Sequence, residues 1–510
     1  MSTNNQLENM GELEDRNVIV WLDFNGYAYV NFAIILALSK LNKFNLIGIV
    51  ASKSDLIFFQ TQKIITFKKL IYFPECYDNK SSYNIENLKS FEKKYELNLW
   101  LDVFSERYFY RFWNDFHKFT KDEILTILDN VLLFFDDVLQ KYNPSLIFMQ
   151  HAGENISNLL LYQIAKKMGI KVLMPSLETY MQNKIFLATD LENSEISNEF
   201  KKLMLNFNNL SQLYDEKFIK NQNTGILNTV FDYGYNLNLT QKFHHYTKRF
   251  FTNPESIYQN SGKTKINMIK HRWKTRFKIK EIEKFLESNS IKSIEDKKFL
   301  YFPLASEPEA RILAQSPFYS NQIALIENIA KAIPIDYVLY VKEHPLQKIK
   351  LWRSIDDYKK ILSLPNVKLV DINLNNQNLI SKSQGIISIS GGTGFEALFN
   401  KKPIILFSHA PYDVLSMVTK IKSFSSLPED ISRALNDFKF NNKELNAYMH
   451  VFTEKSLSVP YHSMLKDGNT LSSLQVYENN LNLTLKNFNT FYETYQHYFE
   501  LIARIVYSKL

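Results

Sequence analysis

Two hydrophobic patterns alternate along this chain. Short apolar runs of strand length are each followed by segments whose apolar residues recur at three- and four-residue spacing, as on one face of a helix. Val18 to Phe24 reads as a strand, Tyr27 to Leu41 as a helix and Asn45 to Ala51 as the next strand. A second such unit follows Pro144, with a strand from Ser145 to Gln150, a helix from Asn155 to Met168 and a strand from Lys171 to Met174. Between the two units lies a helical stretch rich in rings (Trp100, Tyr108, Phe109, Tyr110, Phe112, Trp113, Phe116), most of which core packing accounts for. From Asn193 to Asn260 the strand signal fades into a polar helical pattern. A new series starts after Lys297: strands at Phe299 to Pro303, Tyr337 to Val341, Val367 to Val370, Gly385 to Ser390 and Pro403 to Ser408, with helices at Ser320 to Ala332 and from Gly394 to Phe399.

Strands that read as unbroken apolar runs between helices belong to parallel sheets covered on both faces. The pattern therefore predicts an α/β protein in two halves. A polar, acidic start (1–16) is expected to be disordered. An N-terminal α/β domain spans 17–260, a basic linker 261–297, a second α/β domain 298–465, and closing helices rich in Tyr, Phe and Leu run from 466 to 510. With 510 residues, 45% of them hydrophobic and 22% charged, the chain can bury large cores. Its one cysteine, Cys76, excludes an internal disulfide and fits a reducing cytoplasm. Apolar runs such as Val131 to Phe135 meet Asp136 and Asp137 long before the ~20 residues that span a bilayer, so a soluble or peripheral protein is expected.

The net charge of +8 is concentrated. Lys263, Lys265, Lys270, Arg272, Lys274, Arg276, Lys278, Lys280 and Lys284 face only Glu281 and Glu283 in the same stretch. A solvated helix face or basic linker is one reading. A surface that meets anionic lipid or an acidic glycan is the other, and nucleic acid is disfavoured because no zinc-finger or RNA-binding signature accompanies the charge.

The strongest chemical signal is the strand that runs into Ser390, Gly391, Gly392, Thr393 and Gly394, where a helix starts. Glycines let the backbone approach a ligand, and the free amides and positive end of a helix suit a phosphate or carboxylate. Thr393 and Glu396 also fit a capping box that any helix start can use. Lys342, Glu343, His344 and Pro345 follow another strand of the same series, so both loops are expected at one sheet edge, where open α/β sheets bind ligands. In the first half the loop Gln150, His151, Ala152, Gly153, Glu154 offers a carboxylate and an imidazole beside a glycine, with Asp23, Glu178 and Asp190 as competing acids. No metal site is expected: His244 and His245 are adjacent and point apart, and no HExxH motif occurs. A Ser-His-Asp hydrolase is disfavoured because no G-x-S-x-G elbow occurs.

The succession FPLASEPEA (Phe302 to Ala310), FYSNQIALIENIA (Phe318 to Ala330), LYVKEHP (Leu339 to Pro345), VKLVD (Val367 to Asp371) and SISGGTGFEALFNKKPIILFSHAPYD (Ser388 to Asp413) resembles the bacterial capsule polysaccharide biosynthesis family, which includes Kdo transferases. Ser105, Glu106 and Arg107 extend the likeness loosely into the first half. The resemblance implies a GT-B type fold, two Rossmann-like domains facing across a cleft. It implies a glycosyltransferase of capsule or lipopolysaccharide-type assembly that uses no cofactor and moves an acidic sugar from a CMP-activated donor to a glycan or glycolipid acceptor. His344 and Ser390 to Gly394 would hold the donor's phosphate or carboxylate and Glu396 a ribose hydroxyl. Lys342 and Glu309 are grouped with them, Glu309 and Gln322 matching motif positions without a derived role. Catalysis is expected from the first half: Glu154, His151 or Asp190. The doubled glycine Gly391-Gly392 departs from the family's usual pattern and leaves the donor sugar open. A cytoplasmic protein follows, with Lys263 to Lys284 as a peripheral contact to the inner membrane face. A non-catalytic carbohydrate-binding protein, a nucleotide-sugar epimerase or a glycerophosphate transferase on the same scaffold are the alternatives.

Overall fold

The computed structural model describes residues 16–78, 81–177, 183–205, 257–347, 353–478 and 481–510. The acidic start up to Asp15, Glu178, the pair His244-His245 and most of the polar stretch before Asn260 lie outside the described residues.

The first sheet contains β1 (Asn17–Leu22), β2 (Asn45–Val50), β3 (Lys69–Tyr72), β4 (Leu146–Phe148), β5 (Lys171–Leu177) and β6 (Lys184–Ala188). From β3 through β2, β1 and β4 to β5 all neighbours are parallel, and β6 then runs antiparallel to β5. The second sheet is entirely parallel: β7 (Phe299–Pro303), β8 (Val338–Lys342), β9 (Val367–Val370), β10 (Gly385–Ser388), β11 (Ile404–Leu406) and β12 (Val418–Lys420), in the order β12-β11-β10-β7-β8-β9. Alternate residues of each strand feed opposite cores, because side chains alternate across a sheet. Val18, Val20 and Leu22 pack on one face of the first sheet, Ile19 and Trp21 on the other. Phe299 and Tyr301 divide from Leu300 and Phe302 in the same way. Burial on both faces is what makes these runs continuously apolar.

The basic segment holds a 25-residue helix, Lys265–Asn289, capped by the Thr264 hydroxyl. The closing helices begin at Tyr461 and cover the first domain. After the second domain the chain adds β13 (Leu457–Ser458) antiparallel to β6, then lays the helices Tyr461–Glu478 and Leu481–Ser508 against the helix Gly26–Ser39. Phe488 packs on Phe32 there, ring centroids 5.0 Å apart. The two helices nearly touch at glycines: a Cβ on Gly468 would stand 2.8 Å from the Gly26 carbonyl oxygen, and the Gly26 amide donates to Asn469 Oδ1 at 2.7 Å. Gly468→Val is expected to lower stability by ~1–3 kcal/mol, the usual cost of overpacking a closed contact, read as a lower denaturant midpoint; an unchanged midpoint would show that this contact opens freely.

The domains meet at the carboxyl ends of their sheets. Arg111 Nη1 donates to the Ser320 carbonyl (3.1 Å), the Ser197 hydroxyl to the Pro411 carbonyl (3.3 Å), and Gln315 Nε2 to the Leu191 carbonyl (3.2 Å). Two Rossmann-like domains facing one another with C-terminal closing helices are thus what the chain forms. Among the described residues no helix is long and apolar enough to cross a membrane.

Candidate functional site

Because β7, β8, β10 and β11 are parallel neighbours, the loops that leave them emerge along one edge. His344, two residues past β8, and Ser390 to Gly391, past β10, share it, as the sequence predicts.

The helix Gly392–Phe399 starts directly after this edge, and no side chain caps it. Gly391 is its N-cap, with its amide on Ser388 Oγ (3.0 Å) and its carbonyl accepting the Tyr412 hydroxyl (2.6 Å). The capping box read from Thr393 and Glu396 does not form. Glu396 turns instead toward Asn376 Nδ2 (3.4 Å) and Gln377 Nε2 (3.2 Å), and burial pushes its carboxyl up to about 7. The amides of Gly392 and Thr393, at the first two helical positions, lack an intrahelical acceptor and sit at the positive end of the dipole. Beside them the buried Ser390 hydroxyl has no hydrogen-bond partner among the described residues.

The loop after β8 is built on a buried ionic tie that the sequence did not reveal. Arg353, 2% exposed, pairs with Glu343 at 2.5 Å, lies 3.6 Å from Glu307 and donates to the Ala305 carbonyl at 3.1 Å. The Tyr358 hydroxyl also donates to Glu343 (2.7 Å), while Gln322 bridges Glu307 and the backbone of Ala305. Charges withdrawn from water need such saturation. The tie locks the loop 304–308 to the loop 343–345 and so gives Gln322 a role. His344 is then oriented by its neighbour: its Nδ1 accepts the Leu346 amide at 3.2 Å, which puts the proton of the neutral ring on Nε2. Lys342 lies buried beneath, its ammonium on the Leu374 carbonyl between Asp371 and Glu396, and burial pulls its pKa down to about 8.

On the first domain, Glu106 and Arg107 shape the loop after β4. Buried Glu106 accepts the Ile156 amide (2.8 Å), the Tyr108 amide (3.2 Å) and the Tyr258 hydroxyl (3.0 Å). Arg107 holds Glu154 twice, through its carbonyl (2.6 Å) and its carboxylate (2.7 Å). Gly153, at φ +96°, has its amide on Asn158 Oδ1 (2.9 Å) and lies so close to the short helix Ala310–Leu313 that a Cβ would stand 3.0 Å from that of Ala314. His151 donates from Nδ1 to the Ala152 carbonyl (2.9 Å), which leaves Nε2 as the acceptor toward Gln315 Nε2, 3.5 Å away. Asp190 is engaged in its own turn, accepting the amides of Glu192 (3.1 Å) and Ser194 (2.9 Å).

Asp23 completes this side. It follows β1, is 6% exposed, accepts the Phe24 amide (2.8 Å) and takes a hydrogen bond from the Gln150 amide nitrogen. Burial, helped by the charge of Glu154, raises its pKa to about 6, past the pull of its hydrogen bonds. A carboxyl displaced this far at the carboxyl end of a sheet strand is a candidate for proton transfer. His409, which the sequence did not single out, bridges the domains from Asp413 (2.9 Å) to the Glu192 carbonyl (2.9 Å).

The short helix Ala310–Leu313 joins the two sides. Gly153 packs on its first residue and on Ala314, Arg311 lies 3.5 Å from the Ser390 carbonyl, and Glu309 sits at its N-cap. Contacts thus run from the Ser390 carbonyl through Arg311 and the short helix to Gly153, beside His151 and Glu154, while Asp23 is reached only within the first domain, through Gln150; Gln315 links His151 to the turn that holds Asp190. Among the described residues no group of three His, Cys, Asp or Glu side chains is arranged to hold a metal ion.

Residues 194–439 match the protein family described as capsule polysaccharide biosynthesis protein. No curated protein matches the chain. Among solved structures, a beta-Kdo 2,7 transferase, KpsC of Thermosulfurimonas dismutans, is 14% identical with a TM-score of 0.31 and covers 62% of this chain and 78% of its own. The UDP-GlcNAc 2-epimerase of Methanocaldococcus jannaschii is 15% identical with a TM-score of 0.26, covering 86% of this chain and 99% of its own. The fold rests on the two sheets themselves rather than on these likenesses. Over residues 194–439, the chain is similar to the capsule polysaccharide biosynthesis protein family.

Proposed function

We propose that the protein is a glycosyltransferase of surface polysaccharide assembly, of capsule or lipopolysaccharide type, that moves an acidic sugar from a CMP-activated donor to a glycan or glycolipid acceptor. The observation that carries this reading is the uncapped helix start at Gly392, joined through Arg311 and the short helix Ala310–Leu313 to the Gly153–Glu154 loop of the other domain. The amides of Gly392 and Thr393, the Ser390 hydroxyl and His344 Nε2–H receive the donor's phosphate and carboxylate, and Glu396, close to Lys342, takes a ribose hydroxyl. Glu309 borders the sugar from its N-cap position.

In the transfer step the acceptor hydroxyl oxygen bonds to the anomeric carbon while that carbon's bond to the phosphate oxygen breaks, and the nucleotide leaves with the electron pair. The hydroxyl proton passes to a first-domain carboxylate. Asp23 fits this role best, since a group with pKa about 6 is mostly ionised at neutral pH and still basic. Glu154 and His151 line the acceptor side, Glu154 fixed by Arg107. The reading places the protein in the cytoplasm, with Lys263 to Lys284 toward the anionic inner face of the membrane.

Calorimetry with CMP-, UDP- and GDP-sugars tests it. A CMP-sugar is expected to bind, Gly392→Leu to lose that binding with the fold intact, and His344→Ala to weaken it by ~1.5–3 kcal/mol, the scale of a hydrogen bond to a charged group. Unchanged affinity in Gly392→Leu would overturn the donor assignment. Binding without transfer to any glycan would leave a carbohydrate-binding protein.

A further inference from the structure

The helix Lys265–Asn289 has two unlike faces. Its inward line runs through His271, whose ring packs on Phe116 at 4.8 Å, buried Ile282, and Phe285, stacked on Tyr358 at 6.4 Å. On the opposite side stand Ile266, Ile269, Trp273 and Phe277, which are 65%, 41%, 58% and 68% exposed. Their spacing of three, four and four residues aligns them in one stripe, turned away from the docked line. Lys265, Arg272 and Arg276 flank the stripe on one side, and Lys270, Lys274 and Lys278 on the other. All six are exposed, and no acidic residue occurs between Lys263 and Lys280.

We propose that this helix is an interfacial anchor that lies flat on an anionic membrane, with Ile266, Ile269, Trp273 and Phe277 at the boundary of headgroups and acyl chains. The charge of the segment alone fits any polyanion. The aligned apolar stripe between two cationic flanks selects a partner with an apolar layer directly beneath a negative one, and a lipid surface has that structure. A nucleic acid offers no continuous apolar layer to receive the stripe. The inference rests on the membrane-facing placement of Lys263 to Lys284 proposed above and not on the transfer step.

The test is sedimentation of the full-length protein with vesicles of phosphatidylcholine alone or of phosphatidylcholine and phosphatidylglycerol in equal amounts. The protein is expected to sediment with the mixed vesicles only and to be released by high salt. Joint replacement Trp273→Ala and Phe277→Ala should cut vesicle affinity at least tenfold, and Lys270→Glu with Lys274→Glu and Lys278→Glu should abolish it. These side chains are exposed, so circular dichroism and CMP-sugar binding should match the parent, which separates failure of the anchor from failure of the site. Equal vesicle affinity in the Trp273→Ala, Phe277→Ala protein, no binding to mixed vesicles at low salt, or binding to single-stranded RNA in place of vesicles would each overturn the proposal.

Discussion

Asp23→Asn is expected to make the protein more stable and to stop sugar transfer. Burial holds the Asp23 carboxyl at about 6 instead of 3.8. Between those two values the folded protein binds more protons than the unfolded chain, so stability falls as pH rises through the window, and the full cost is present above it. Two units correspond to at most ~3 kcal/mol, so a gain of ~1–3 kcal/mol at neutral pH is expected from the neutral isostere. The local hydrogen bonds permit the exchange: Gln150 Oε1 is buried without a partner and can accept from the new amide once the Gln150 side chain flips. Turnover should fall ~100-fold or more. In the parent enzyme it should decline as pH drops through about 6, and Glu154→Gln should move that inflection down by removing the charge that raises Asp23. A destabilised, inactive Asp23→Asn would point to a structural carboxylate, and normal transfer with a crippled Glu154→Gln would give the proton to Glu154.

The second large effect concerns Arg353. Arg353→Met leaves Glu343 and Glu307, 3% and 1% exposed, facing each other without a counter-charge, and removal of one partner from a buried ion pair costs ~3–5 kcal/mol. Denaturant unfolding should show this directly. Arg353→Lys keeps the charge but cannot span Glu343, Glu307 and the Ala305 carbonyl together, so it should fold with an intermediate midpoint and bind a CMP-sugar more weakly because the loop that carries His344 is no longer tied to the loop 304–308. A parent-like midpoint in both variants would mean that the tie contributes neither stability nor order.

What the sequence revealed and what it hid follow from range. Strands buried on both faces are legible from composition alone: Val18 to Phe24 was expected and Asn17–Leu22 is found, and Phe299–Pro303 coincides. Edge strands carry a weaker signal. Lys69–Tyr72 starts with a lysine, and Lys184–Ala188 lies between Glu178 and Asp190 in a stretch singled out for its acids, so neither was expected. At the site, the glycine loop and the HP pair were visible because their chemistry is local. The Thr393–Glu396 pattern was also local, and a tertiary pull from Asn376 and Gln377 overrode it. Arg353 lay hidden because its partners stand 10 residues back in the same connection and 46 residues back, after β7. Asp23 could be seen as a sheet-terminal acid, whereas its burial is a product of packing.

The first domain is assembled from both ends of the chain, and this sets an order of events during synthesis. Residues 298–455 form a contiguous unit that can fold as it leaves the ribosome, whereas the face carrying Ala28, Phe32 and Ile35 has only the rings of Phe58, Phe59 and Phe67 against Phe32 until the helices Tyr461–Glu478 and Leu481–Ser508 arrive to complete its cover. The domain translated first is therefore completed last, and its nascent apolar face is the part most in need of a chaperone. Shortening the chain at its end damages the domain at its beginning.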